Sequence, residues 1–259
     1  MNSELFIYIL IAAMVFLGYG ARLLTASGAF AAFAVGCFTV LGLGLKGLVI
    51  LALFFASSSF WSKIKSVNKK KAEEMLVKGS RRDWQQVIAN GGLAALSSAL
   101  YFTTDNNLWL LGFCICNAAA NSDTWASEIG SMSKSKPFFI KTFKRVERGT
   151  SGAISLLGTI ASILGSFIIA ITSYYLFALS GEEFLFILIL GFSGNVVDTL
   201  LGAFVQAGYT CPSCGMQTEK VFHCGQKTKL MKGFSFFNND TVNFLSGLSA
   251  LLLGILILN

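Results

Sequence analysis

The sequence predicts an all-α polytopic membrane protein. Three observations predict it: 54% of the 259 residues are hydrophobic with a mean hydropathy of +0.67, the apolar residues come in long runs, and the basic residues occupy alternate connections between those runs. Uninterrupted apolar runs of roughly 15–25 residues have the length that crosses a bilayer as helix. Once they are removed no soluble catalytic domain of useful size remains, so residues 1–259 read as a single integral membrane domain.

Eight helices are expected, at about 5–21, 28–44, 46–61, 86–102, 107–123, 152–179, 183–206 and 241–258. The first follows M-N-S-E with no basic n-region and no cleavage site, so it reads as a retained helix and not a signal peptide. The second to fifth are short or Gly-rich; if 28–61 forms one re-entrant element, the count falls towards six. The fifth has the option of continuing to Gly130.

Charge sets the expected orientation. With the first helix starting outside, the inner connections hold Arg22, the basic residues of 62–85, those of 131–150 and those of 207–240, which leaves Lys46 as the outer exception among 20 Lys and Arg. The short outer connections carry Asp105, Glu182 and Glu183. This is the positive-inside pattern, giving N-out and C-out with small cytoplasmic loops. The net charge of +7 is therefore mostly topology, and no reading helix or aromatic-studded strand points to nucleic acid. A bacterial plasma membrane with the site on its cytoplasmic side is the expected location.

Polar groups within the apolar runs mark the candidate site, because they are costly in lipid unless they face protein, water or a ligand. In N-A-A-A-N-S-D-T-W-A-S-E-I-G, Asn117, Asn121, Thr124 and Glu128 share one helical stripe, with Asp123 and Ser127 on the next. The seventh run holds Asn195, Asp198 and Thr199 in G-N-V-V-D-T, and the eighth begins N-N-D-T-V-N with Asn239, Asp240 and Asn243. All three clusters fall at inner helix ends. Two basic loops join them there. Arg81-Arg82-Asp83 runs into Asn90-Gly91-Gly92, and Lys141, Lys144, Arg145 and Arg148 run into Gly149-Thr150-Ser151-Gly152. Small residues at a helix start beside cations suit phosphate, with backbone N–H groups and the helix dipole contributing; an N-cap at Thr150 or Ser151 is the plainer alternative. Acids at one depth beside phosphate-friendly loops suggest a Mg²⁺–nucleotide site.

Six cysteines divide into two kinds. Cys37, Cys114 and Cys116 lie in apolar runs as small core residues. Cys211, Cys214, His223 and Cys224 form C-P-S-C-G-x7-H-C in a Cys/His-containing loop insertion at 207–237. A Cys-x2-Cys knuckle suits Zn²⁺; reduced thiols and a redox role are the alternatives, and adjacent His and Cys ligands look awkward.

Taken in order, N-S-D-T-W-A-S-E-I-G, R-G-T-S-G-A-I-S-L-L-G, G-N-V-V-D-T-L-L-G-A, C-P-S-C-G…H-C-G and N-N-D-T-V-N resemble the "domain of unknown function 92" integral membrane family, along nearly the whole chain. That family includes transmembrane protein 19 and the phytyl-phosphate kinases of plants and cyanobacteria. The resemblance implies a CTP- or other NTP-dependent kinase that converts an isoprenyl monophosphate to the diphosphate. It also implies distant kinship with dolichol and phytol kinases and with CDP-diacylglycerol synthases. By this resemblance Asp123, Glu128, Asp198 and Asp240 become Mg²⁺ ligands, the first, third and fourth also catalytic. Asn195 and Asn239 become metal or phosphate contacts by the same resemblance, while the residue pattern itself offers Asn90, Asn121, Asn243, Lys141, Lys144, Arg145, Arg148 and Gly149–Gly152 as further nucleotide and phosphate contacts. Ser151 stands where the family often has Asn. A transporter or flippase of a lipid phosphate or another anion and a CDP-lipid-forming cytidylyltransferase are the rival functions, and a homodimer is left open.

Overall fold

The computed structural model describes residues 3–258, and its long helices fall on the apolar runs. Helix α1 spans Ser3–Gly20 and α2 Ala26–Lys63. Thr25 caps α2 by accepting the Gly28 N–H at 3.0 Å. The helix is broken at Gly44, whose φ of +56° and ψ of −147° suit only glycine, so two expected helices meet end to end in one element.

A short helix, α3 (Val67–Met75), follows, capped by Ser66. Its sequence V-N-K-K-K-A-E-E-M has too little apolar periodicity to disclose a helix, and among the described residues it buries Ala72, Met75 and the side chain of Lys69. Helix α4 (Trp84–Thr104) starts with a capping box in which Asp83 and Gln86 exchange bonds; α5 spans Asn107–Gly130.

The connection after α5 contains β1 (Phe138–Phe139), β2 (Lys144–Arg145) and β3 (Ala153–Ile154), a small sheet ordered β2-β1-β3. Because Ala153 and Ile154 pair with β1, α6 (Leu156–Phe177) begins later than expected from the sequence, capped by Ser155 and not by Thr150 or Ser151. Helix α7 is Gly181–Phe204 and α8 is Asn239–Leu258. Between them lie β4 (Gly208–Thr210), β5 (Gln217–Thr218), β6 (Phe222–His223), β7 (Gln226–Lys227) and β8 (Lys229–Lys232), forming a sheet β5-β4-β8 and a β6-β7 hairpin. The all-α expectation is thus corrected: the loops fold into short strands.

Helix α5 is the axis of the fold. It packs against α2, α4, α6, α7 and α8, and every residue from Leu110 to Ser122 is buried. Small residues such as Ala118, Ala119 and Ala120 permit this close approach. Four of the helices around it, α2, α6, α7 and α8, are long and apolar enough to cross a membrane by length and composition. They turn bulky apolar groups outwards, among them Phe30, Ile163, Ile189 and Leu256, as a bilayer-facing surface requires.

Candidate functional site

At one end of the helices lies a cavity of about 630 Å³, lined by every long helix except α5's buried half and by the loops beneath them. Its lining has two characters. One arm runs along Ile11, Met14 and Val15 of α1 and Val35, Leu48, Leu51, Phe54 and Phe55 of α2. The other holds Asp123, Glu128, Asn195, Asp198, Glu219, Asn239, Asp240 and Asn243 with Lys69, Lys78, Arg82 and Arg148. A space that is apolar at one side and charged at the other fits an amphipathic ligand.

The acids are not equivalent. Asp123 on α5 and Asp198 on α7 face each other within hydrogen-bonding reach. Asn243, with its amide nitrogen turned towards them, donates to Asp198 Oδ2 and to the Asn239 carbonyl, each at 3.1 Å. Two carboxyls so close share a proton or hold a cation between their oxygens, and hard oxygen donors of this kind fit Mg²⁺.

Glu128 and Asp240 already have lysine partners. Lys69 reaches Glu128 Oε2 at 2.6 Å and also donates to the Trp61 and Ser62 carbonyls at 2.7 and 3.0 Å; Ser62 Oγ donates to the same carboxylate. Lys78 bonds Asp240 at 2.5 Å, Asp83 at 2.7 Å and Gln85 at 2.8 Å. Burial pulls the Lys78 ammonium down, but the Asp240 and Asp83 carboxylates outweigh it and hold it above its ordinary value. Asp83 is correspondingly held low against its own desolvation by Lys78 and by the Gln86 N–H. Arg82 lies over the Phe54 and Phe55 rings and donates to Ser59 Oγ at 3.3 Å. Burial lowers its guanidinium to about 10, so it stays charged at neutral pH.

The Gly149–Gly152 loop lines the cavity without standing at a helix start. The expected helix-dipole contribution is therefore absent there. Gly152 has φ +84° and lies so close to α7 that an added Cβ would meet Ala203 N at 2.4 Å. Ser151 Oγ donates to Glu219 Oε1 at 2.8 Å, and Gln206 Nε2 donates to the same oxygen at 2.7 Å. Burial pushes the Glu219 carboxyl above the usual carboxylate range, opposed by Ser151 and the nearby Lys232 charge. Lys232 pins this corner by donating to the Ser151 and Gly202 carbonyls at 2.8 and 2.6 Å, and burial lowers its ammonium to about 8.

Other expected ligands sit elsewhere. Asn121 is fully buried between helices, where its Oδ1 accepts from Ser57 Oγ at 3.0 Å and its Nδ2 donates to the Gly165 carbonyl at 2.7 Å. It is a bracket joining α2, α5 and α6, not a phosphate contact. Lys144 and Arg145 are exposed on β2, with Arg145 stacked over Phe138, and Lys141 lies over Phe204; none of the three lines the cavity. Arg148 lines it but spends its guanidinium on the Ser133 and Lys134 carbonyls at 3.0 and 2.6 Å. Asn90 lines it from α4 with its amide on the Gln86 carbonyl at 3.0 Å. Sequence reasoning missed Lys69, Lys78, Glu219 and Lys232. The isolated acid Glu219 inside a basic loop was the one available signal.

Outside the cavity, Cys211, Cys214, His223 and Cys224 bring their ligand atoms within 4.8 Å of one another. His223 Nδ1 lies 3.5 Å from Cys214 Sγ and 3.3 Å from Cys224 Sγ. The adjacent pair converges because Cys224 adopts φ +51°, which turns its sulfur back beside the imidazole. The Cys214 N–H and the His223 ring hold the Cys211 thiol down at about 6.

Fold and site together define a helical integral membrane protein that gathers acids, lysines and two arginines into one end-on cavity beside an apolar arm. A family model described as Integral membrane protein DUF92 matches residues 9–251, and the chain belongs to that family. Protein PGR of Arabidopsis thaliana is 28% identical over 93% of this chain and 91% of its own length. Protein VTE6, chloroplastic, from the same plant is 28% identical over 86% of this chain and 62% of its own length. An uncharacterized membrane protein of Methanocaldococcus jannaschii is 39% identical over 62% of this chain, which spans 65% of that protein's length. No solved structure matches.

Proposed function

We propose that this protein transfers the γ-phosphoryl group of CTP or another nucleoside triphosphate to an isoprenyl monophosphate at the cytoplasmic membrane face. Eight membrane crossings with the first helix starting outside, in a bacterial plasma membrane, complete the reading. The observation that carries it is the convergence of Asp123, Asp198, Asp240 and Glu219 with Lys78 and Arg82 on one cavity that also has an apolar arm. The motif resemblance supplies the reaction class.

In this reading an oxygen of the lipid monophosphate attacks the γ-phosphorus, forming the new P–O bond as the bond to the β-phosphate oxygen breaks and CDP leaves. The acceptor is already anionic, so the protein's work is positioning and charge neutralisation. Asp123 and Asp198 would hold Mg²⁺, which when bound neutralises charge on the nucleotide phosphates. Arg82 offers a forked set of N–H donors to phosphate oxygens. Lys78 keeps Asp240 neutralised and holds the loop 76–83 against α8. The prenyl chain occupies the apolar arm along α1 and α2, and Ser151, Gln206 and Glu219 bound the polar end.

The test is purified protein in lipid nanodiscs with γ-labelled CTP and a prenyl monophosphate. Label appearing in the prenyl diphosphate supports the proposal. Release of pyrophosphate with formation of a CDP-lipid would instead make it a cytidylyltransferase, and uptake of lipid phosphate into liposomes without chemistry would make it a transporter.

A further inference from the structure

We propose that Cys211, Cys214, His223 and Cys224 form a structural Zn²⁺ centre that folds the 208–232 ribbon and thereby clasps the floor of the cavity. The cluster suits the metal. Tetrahedral zinc with bonds of about 2.3 Å to sulfur and about 2.1 Å to nitrogen has ligand-to-ligand edges of roughly 3.5–3.8 Å. His223 Nδ1 meets two sulfurs at 3.3 and 3.5 Å, close to such edges. Both halves are tight turns with a residue of positive φ behind the ligands, Gly215 at +71° in one and Gly225 at +75° in the other. In the first turn the Gly215 N–H donates to the Cys211 carbonyl at 2.9 Å, while Cys211 N–H reaches the Met216 carbonyl at 2.9 Å. Three thiols and an imidazole close a four-coordinate shell, leaving no open position for hydrolytic chemistry, so the role is structural.

The ribbon needs such a staple. Val221, Phe222, Leu230 and Met231 are all exposed, and its strands are two to four residues long. A segment of this size cannot bury enough apolar surface to hold itself together. Yet it carries contacts the cavity depends on. Thr218 Oγ1 and Glu219 N–H both donate to the Met75 carbonyl, at 2.8 and 2.9 Å, and so dock the ribbon on the end of α3. Glu219 then reaches Ser151 and Gln206 from that mooring. Metal at the knuckles fixes β5, and β5 fixes Glu219. The metal assignment stands whether or not the protein is a kinase.

The experiment uses the full chain purified under reducing conditions with zinc supplied, read by elemental analysis. About one zinc per chain is expected, with Cys211, Cys214 and Cys224 protected from alkylation until a chelator is added. Cobalt(II) in its place should give thiolate-to-metal charge-transfer absorption that shifts but persists in His223→Cys. Cys214→Ser and Cys224→Ser should weaken metal binding by at least about tenfold, whereas Cys37→Ser leaves it unchanged. Chelation should raise hydrogen exchange across 208–232 and at Glu219 but not in α5. Protein that carries no zinc and alkylates freely, or zinc retained by the Cys214→Ser/Cys224→Ser double variant, would overturn the proposal. The wild-type measurements decide the matter even if the variants fail to fold.

Discussion

Helix α5 and the loops that floor the cavity both carry many polar residues, and they use them differently. Within α5 the buried polar groups bond to neighbouring helices: Asn121 to Ser57 and Gly165, Ser122 to the Ser162 carbonyl at 2.9 Å. In the floor, Lys78, Arg82 and Glu219 are charges brought from distant parts of the chain to one space, and Lys232 braces it from the Ser151 and Gly202 carbonyls. Two residues separate the regimes. Asn121 ties helices together, whereas Asp123 lines the cavity beside Asp198. Depth along a helix, and not residue type, decides whether a polar group is glue or part of a site.

Perturbations should follow that division. The largest effect is expected at the carboxyl pair: Asp123→Asn should abolish manganese binding, measured by electron paramagnetic resonance in the presence of CTP, and cut transfer by about 100- to 1000-fold without lowering the thermal midpoint. Next, Lys69→Met leaves the partly buried Glu128 without its lysine partner and should cost about 1–2 kcal/mol of stability. The double change Lys69→Met/Glu128→Leu should restore much of it, as read by chemical unfolding in detergent. Asn121→Ala should cost about 1 kcal/mol by removing the bonds to the Gly165 carbonyl and the Ser57 hydroxyl, with metal binding intact. A loss of metal binding in Asn121→Ala would erase the contrast between core and floor.

The smallest effect is the pH response of the Lys78 junction. Asp83 is held below its ordinary value of 3.8, so its contribution is present above that value and lost as pH falls through the lower folded one. Lys78 is held above its ordinary 10.5, so its contribution is present below that value and lost as pH rises through the higher folded one. Hydrogen-exchange protection factors in residues 76–83, which divide out the base-catalysed intrinsic rate, should therefore stay flat between about pH 5 and 9 and fall only towards the extremes.

Much of the fold was legible because lipid demands long apolar runs, and the break at Gly44 lay in an obvious glycine cluster. The inner-end acids were legible for the same reason: a carboxylate such as Asp198 stands out inside an apolar run. The charge pairs were not, since Lys78 meets Asp240 across 162 residues of separation and a loop lysine carries no periodic mark. Helix α3 stayed hidden because its order comes from docking Ala72, Met75 and Lys69, not from an apolar stripe. Asn121 misled because both faces of α5 are buried, so a polar stripe could not say which members reach the cavity. Ser155, not Thr150 or Ser151, caps α6 because strand pairing at Ala153 and Ile154 delays the helix, a constraint that only the fold supplies.

The most direct test of the Asp123–Asp198 centre is a single-turnover transfer assay on Asp198→Asn beside the wild type, both in nanodiscs with γ-labelled CTP and prenyl monophosphate. The account predicts labelled diphosphate from the wild type and a loss of about 100-fold or more in the variant at an unchanged melting temperature. Transfer at the wild-type rate by Asp198→Asn would contradict it.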